Sequence, residues 1–298
     1  MKLATTILLV LWSYSANAAV SVWIPFDSTG GQISIPVTLN GEETRAILDS
    51  GATGNGISER FLARHEGEYT TGRKIRLSGV NGTRTVRGIN DIKINMFGAN
   101  LVIDELWPMR LGGPDLIIGL GFFQNFILQI DYPNSRLRIL THDVIDLREY
   151  ANVRMKKSAD SLQPMVRVTL NDEKKVWLML DTGNSTGIFM PRKLALRYDW
   201  LEEFGTEEVN IRGVNEVSTS LSFNLPQITL GPYTLENVIL VVPGEGQSTT
   251  IGKKERPKIG TRISRATSEG ILGFDVLKHF IVTIDFKRTL LLLEAPPE

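Results

Sequence analysis

Apolar and polar residues alternate over short runs along most of this chain, the period-two pattern of strands that bury one face. The runs at residues 32–39, 74–77, 127–131, 165–170, 235–242 and 281–293 alternate or are rich in β-branched residues, and each reads as strand. Helical spacing is confined to two short stretches, residues 58–65 and 191–198. The pattern predicts an all-β fold with a few small helices.

It also occurs twice. Val37-Thr38-Leu39-Asn40 returns as Val168-Thr169-Leu170-Asn171 at an offset of 131, and a turn residue follows each copy, Gly41 or Asp172. Gly79-Val80-Asn81 returns as Gly213-Val214-Asn215 at an offset of 134, between segments that read as hairpin arms. Ile117-Ile118-Gly119 matches Ile271-Leu272-Gly273, and Ile130-Asp131-Tyr132 matches Ile284-Asp285-Phe286, both at an offset of 154. Because the order is kept, the chain reads as an internal duplication of two similar β-barrel lobes. The increase in offset places an insertion in the second half. Residues 243–268, rich in Gly, Ser, Thr, Lys and Arg, have the composition of a long surface loop.

Composition adds bounds. The 298 residues suit two domains, each able to bury its own core. Lys plus Arg and Asp plus Glu both number 33, so net charge favours neither nucleic acid nor an anionic membrane as partner. Cysteine is absent, which excludes disulfides and thiol nucleophiles. Lys2, the apolar run at residues 7–12 and Ala16-Asn17-Ala18 form a basic, apolar and small-x-small series. That series is the pattern of a cleaved export signal over residues 1–18, and its apolar run is far short of the roughly 20 residues a spanning helix needs. The expected mature chain is exported, periplasmic or extracellular, with residues 19–146 as one lobe and 147–298 as the other.

The candidate chemistry lies at matched points of the repeat. Residues 46–53 read AILDSGAT and residues 178–185 read LMLDTGNS, so Asp49-Ser50-Gly51 answers Asp181-Thr182-Gly183. Each aspartate ends an apolar strand, and each glycine permits a tight turn with close backbone approach. Two carboxylates in matched settings that meet face to face cannot both ionise cheaply and share a proton, which suits them to acid–base work.

These features resemble the two-lobed, single-chain aspartic proteases of the retropepsin and pepsin clan, over nearly all of residues 30–294. The resemblance implies an acid-protease fold in an exported bacterial type. It implies Asp49 and Asp181 as the catalytic pair, with Ser50, Gly51, Thr182 and Gly183 supporting the two loops. It further implies a mobile flap at Gly79, Val80, Asn81 and Gly82, a peptide or protein substrate, and no metal or other cofactor. A shared proton on close carboxyls is the established behaviour of that class. The duplication implies a monomer with internal pseudo-two-fold symmetry. Where pepsins usually carry Thr after each glycine, this chain has Ala52 and Asn184. Ala lacks a hydroxyl to stabilise ionised carboxylate, so a pair less acid-adapted than pepsin's is expected.

Two other functions fit parts of the sequence. A catalytically inactive, protease-like module would hold peptide without cutting it. Gly183-Asn184-Ser185-Thr186-Gly187 spells the G-x-S-x-G of a serine esterase, with His279 downstream, although the strand-rich chain lacks the large alternating helices of that fold. His65, His142 and His279 have no partners at metal-ligand spacing, so no metal site is expected.

Overall fold

A computed structural model describes residues 20–79, 82–103, 105–159, 161–212, 217–247 and 268–297. The expected leader, the tip residues Val80 and Asn81, Gly213-Val214-Asn215 and most of the 243–268 loop lie outside the described residues. The protein is mostly β, arranged as two lobes with one closed six-stranded barrel and a half-barrel.

In the first lobe Ser34–Leu39 pairs antiparallel with Glu42–Leu48, the two joined by Asn40 and Gly41 at positive φ. The same hairpin returns as Pro164–Leu170 with Lys174–Leu180, where Asn171 and Asp172 take the positive φ values. Inward residues are fully enclosed in both copies: Ile35, Leu39, Ala46 and Leu48 answer Val166, Leu170, Leu178 and Leu180. Each Leu or Ile so buried contributes about 1.5–3 kcal/mol of transfer free energy, which fixes which face of each strand points inward.

The strand that ends on each aspartate then gains a parallel neighbour from far along the chain. Ala46–Leu48 pairs with Leu116–Ile118, and Leu178–Leu180 pairs with Gly270–Leu272. These neighbours are the apolar elements that precede Gly119 and Gly273. A Cβ on Gly119 would press on the carbonyl oxygen of Ala52 at 2.8 Å, and one on Gly273 would press on those of Asn184 and Thr186, both at 2.6 Å. Glycine is required because the supporting segment runs directly beneath the aspartate loop.

A five-stranded sheet joins the lobes, in the order Ile24–Pro25, Arg136–Leu140, Ile127–Asp131, Ile281–Asp285, Leu290–Glu294. Its central pair is antiparallel and symmetric, with Ile127 opposite Asp285 and Asp131 opposite Ile281. At the centre Gln129 donates from Nε2 to Thr283 Oγ1 at 3.0 Å. The helices are short: Glu59–Arg64, N-capped by the Ser58 hydroxyl, and Arg192–Arg197 coincide with the expected pair. The run at residues 281–293 is two strands, Ile281–Asp285 and Leu290–Glu294, rather than one. The turn between them places Thr289 at φ 58, and a capping bond from Arg288 N to Asp285 Oδ1 (2.8 Å) replaces the usual Gly or Pro signal.

Two small apolar clusters repeat the duplication on the outer side of these sheets. Ile47, Leu77, Met109 and Ile117 form one, and Phe189, Val241 and Ile271 form the other with Met179 and Ile211 beside them. The first binds the hairpin Thr70–Gly79/Gly82–Asn90 to the strand that carries Asp49. Arg84 ties the same hairpin to Glu59 at 2.6 Å and to the Pro108 carbonyl.

Candidate active site

Asp49 and Asp181 come together across the lobe boundary, each held by its own loop in the same way. Asp49 N–H donates to Ile118 O at 2.9 Å and Asp181 N–H to Leu272 O at 3.0 Å, which locks each aspartate to its parallel supporting strand. Leu120 N–H donates to Ala52 O (2.8 Å) and Phe274 N–H to Asn184 O (2.9 Å), closing each loop on its far side.

The loops are then crossed. Ser50 N–H donates to Thr182 Oγ1 (3.1 Å), and Thr182 N–H donates to Ser50 Oγ (3.1 Å). The hydroxyls pass their own protons on to the opposite lobe, Ser50 to Leu180 O at 2.8 Å and Thr182 to Leu48 O at 2.6 Å. Ser50 and Thr182 are both buried, so each bond is made out of water and holds two strand ends in register. Only a residue with a short hydroxyl side chain can accept and donate here at once.

The glycines let the carboxyls meet. A Cβ on Gly51 would lie 2.5 Å from Asp181 Cγ, and one on Gly183 would overlap Asp49 Cγ. Each carboxyl therefore packs against the glycine of the opposite loop. Asp49 Oδ1 accepts two peptide N–H groups, from Gly51 at 2.9 Å and Ala52 at 2.8 Å. Asp181 Oδ1 accepts the N–H of Gly183 at 2.8 Å.

The electrostatics follow from that geometry. Both aspartates are partly open to the cleft, yet protein surrounds each carboxyl on its other sides, and this desolvation pushes both above the ordinary carboxylate range. For Asp49 the hydrogen bond from Asp181 and the N–H groups of Ala52 and Gly51 offset part of the rise. Asp181 stands well above its ordinary value, driven first by burial and then by the Asp49 charge and the hydrogen bond to it, with the N–H groups of Gly183 and Gly51 offsetting part of the rise. Two carboxyls so close cannot both ionise cheaply, so they share a proton and titrate as a pair.

A family model described as aspartyl protease matches residues 35–122 and 166–276, one segment on each side of the lobe boundary. The chain belongs to the aspartyl protease family. A search of curated proteins finds no match. Among solved structures the protease resembles an aspartic proteinase from Irpex lacteus, with a TM-score of 0.57 and 11% sequence identity over 93% of this chain and 97% of that one. At that identity the likeness establishes the shared two-lobed fold.

Other sequence candidates divide. The flap positions Gly79 and Gly82 face each other as the last pair of their hairpin, while Val80 and Asn81 lie outside the described residues. Ser185 packs against Gly31 of the first lobe, and His279 lies beside Asp275 and Lys278; among the described residues no hydrogen bond joins the two. His65 lies between Glu42 (2.8 Å) and Glu68 (3.0 Å). Among the described residues no group of three or more His, Asp and Glu side chains could hold a metal ion, and no helix is long and apolar enough to cross a membrane.

Sequence reading missed two glutamines. Gln32 Nε2 donates to Gly183 O, and Gln163 Nε2 donates to Gly51 O. Their numbers differ by 131, the offset of the Val37 and Val168 strands that follow them, and that coincidence was the available signal. An open cavity of about 280 Å³ adjoins Gln32, with Asp27, Arg45 and Ile47 among its lining residues.

Proposed function

We propose that this aspartyl protease is an endopeptidase that hydrolyses peptide bonds with a water activated between Asp49 and Asp181. The observation that carries the reading is the crossed Ser50–Thr182 grip, which presses each carboxyl against the opposite loop's glycine and so into contact with its partner. Asp49, with two peptide N–H groups on one oxygen, is the ionised member; Asp181 holds the proton. Asp49 takes a proton from water as the water oxygen bonds to the scissile carbonyl carbon, and Asp181 gives its proton to the carbonyl oxygen. The resulting gem-diol then collapses: the C–N bond breaks, nitrogen takes the proton from Asp49, and a diol hydroxyl returns one to Asp181. Proton transfer of this kind by positioned groups contributes roughly 10²–10⁴-fold in rate. No acyl-enzyme forms in this scheme, and the substrate is a peptide or protein.

A pH dependence follows. The active pair carries one proton, so activity falls in acid as Asp49 protonates and falls in base as Asp181 loses its proton. Burial raises both, so the whole profile is displaced upward relative to two exposed carboxyls. The expected result is a bell in kcat/KM on a fixed peptide with its maximum above about pH 4. A maximum below that, with substrate held constant, would contradict the assignment.

The chain is proposed to act as a monomer, exported by residues 1–18, which are removed in the process. N-terminal sequencing of the protein recovered from the cell envelope or medium is expected to begin at Ala19; a retained leader there would overturn the cleavage reading, and recovery from the cytoplasm alone would overturn export.

A further inference from the structure

We infer that Gln32 and Gln163 are positioning residues for the aspartate pair, a second crossed grip that sets the peptide planes bearing the N–H groups of the two loops. The inference rests on the proposed reading of Asp49 and Asp181 as the working pair. Gln163 belongs to the second lobe and donates to Gly51 O in the first. That carbonyl and the N–H of Ala52 are two ends of one peptide unit, and the Ala52 N–H donates to Asp49 Oδ1 at 2.8 Å and, more weakly, to the main-chain oxygen of Asp49 at 3.3 Å. Because the unit is planar, a donor fixed on its oxygen fixes the direction of its N–H. A hydrogen bond accepted by the oxygen also polarises the amide and makes the N–H a stronger donor. Gln163 therefore acts on Asp49 through the backbone.

Gln32 is built the same way and has a different effect. It donates to Gly183 O, and the N–H at the other end of that peptide unit is Asn184's. Asn184 N–H turns to the main-chain oxygen of Asp181 at 3.2 Å, rather than to the carboxyl. Both grips thus reach a loop carbonyl, and only the one through Ala52 also ends on a carboxylate. The crossed glutamines contribute to the inequality between Asp49 and Asp181.

The placement of both side chains is built into the fold. Each glutamine follows a residue in the left-handed region, Gly31 at φ 71 and Leu162 at φ 59. Leucine holds that conformation at a cost of about 1–2 kcal/mol, so the turn that delivers Gln163 is kept against its local preference. A Cβ on Gly31 would lie 2.8 Å from Ser185 Cβ, which shows how closely the first turn presses on the opposite aspartate loop. The Gln163 amide is oriented by Ser161, whose hydroxyl donates to Oε1 at 2.6 Å. The titratable groups that bear on the pair, among the described residues, are the two carboxyls and the Tyr132 phenol, which is buried and lies within electrostatic reach of Asp181.

The experiment compares the mature parent chain with Gln163→Leu, Gln163→Glu and Gln32→Leu. Asp49 and Asp181 are titrated by carboxyl NMR on protein labelled with ¹³C-aspartate, and cleavage of a peptide pool is followed across pH. Gln163→Leu is expected to move the Asp49 ionisation upward, carry the acidic limb of kcat/KM with it, and lower kcat about tenfold with little change in KM. Gln32→Leu should lower kcat and leave the Asp49 ionisation in place. Gln163→Glu, which can donate only when protonated, should approach the parent as pH falls. An unmoved Asp49 ionisation in Gln163→Leu, or a loss of thermal stability with unchanged kcat, would reduce the glutamines to ordinary contacts between lobes. The titration reads this even if the parent cleaves nothing, an outcome that would count against the pair as catalytic. Should Gln163→Leu fail to fold, the pH response of Gln163→Glu decides.

Discussion

Asp49→Asn and Asp181→Asn are each expected to abolish peptide cleavage while leaving the fold intact and, at neutral pH, more stable. The scheme needs one carboxyl to accept a proton and the other to give one, so neither amide can replace its acid. The loss expected is at least about 10³-fold in kcat. The stability gain has a different origin. A carboxyl whose folded pKa is raised binds its proton more tightly in the folded state. The stability this confers is complete below the unfolded value and is lost as pH rises through the folded value. Asp181, raised well above its ordinary range by burial and by Asp49, is the larger case. Near neutrality the parent carries that desolvation cost and Asp181→Asn does not, so its Tm should exceed the parent's at pH 7 and match it in strong acid. Residual cleavage equal to the parent's in either variant would remove the pair from the mechanism. Ser185→Ala, by contrast, is expected to retain activity.

Removing the grip between the loops should have the opposite effect on stability. Thr182→Val keeps the shape and deletes the hydroxyl, leaving Ser50 N–H and Leu48 C=O unpaired in a buried setting. An unsatisfied buried group costs about 1–3 kcal/mol, so the pair amounts to roughly 2–6 kcal/mol. Ser50→Ala strands Thr182 N–H and Leu180 C=O in the same way. The double variant should lose less than the sum, because once either hydroxyl is gone the loops relax together. Denaturant unfolding measures the stability loss, and kcat/KM should fall in parallel as the carboxyls separate. Single variants no less stable than an ordinary surface substitution, within about 0.5 kcal/mol of the parent, would show that the grip is not what holds the loops.

Much of this site was legible in the sequence because duplication wrote it twice. Asp49-Ser50-Gly51 and Asp181-Thr182-Gly183 occupy the same place in repeats of the same strands, and the structure brings them face to face. The supporting glycines were legible for the same reason. Local chemistry announced the short helices, since Ser58 and Pro191 stand at their N-terminal caps. The break within residues 281–293 was hidden, because the turn is stabilised by the Asp285 side chain and a left-handed Thr289 instead of Gly or Pro. The glutamines were hidden more deeply. Their role depends on pairing across the lobes, which alternation along one strand does not encode, and only the repeated offset of 131 carries a trace of it.

The joining sheet also determines when activity can arise during synthesis. Asp181 is held by Gly270–Leu272, and the lobes meet through Ile281–Asp285 paired to Ile127–Asp131, a strand from the first half of the chain. Such long-range pairing forms only once residues 281–285 are available. A nascent chain that has displayed both aspartates still lacks the strands that bring them together. Residues 270–285 thus complete the site, and a fragment that stops before them has no assembled pair with which to cut its neighbours.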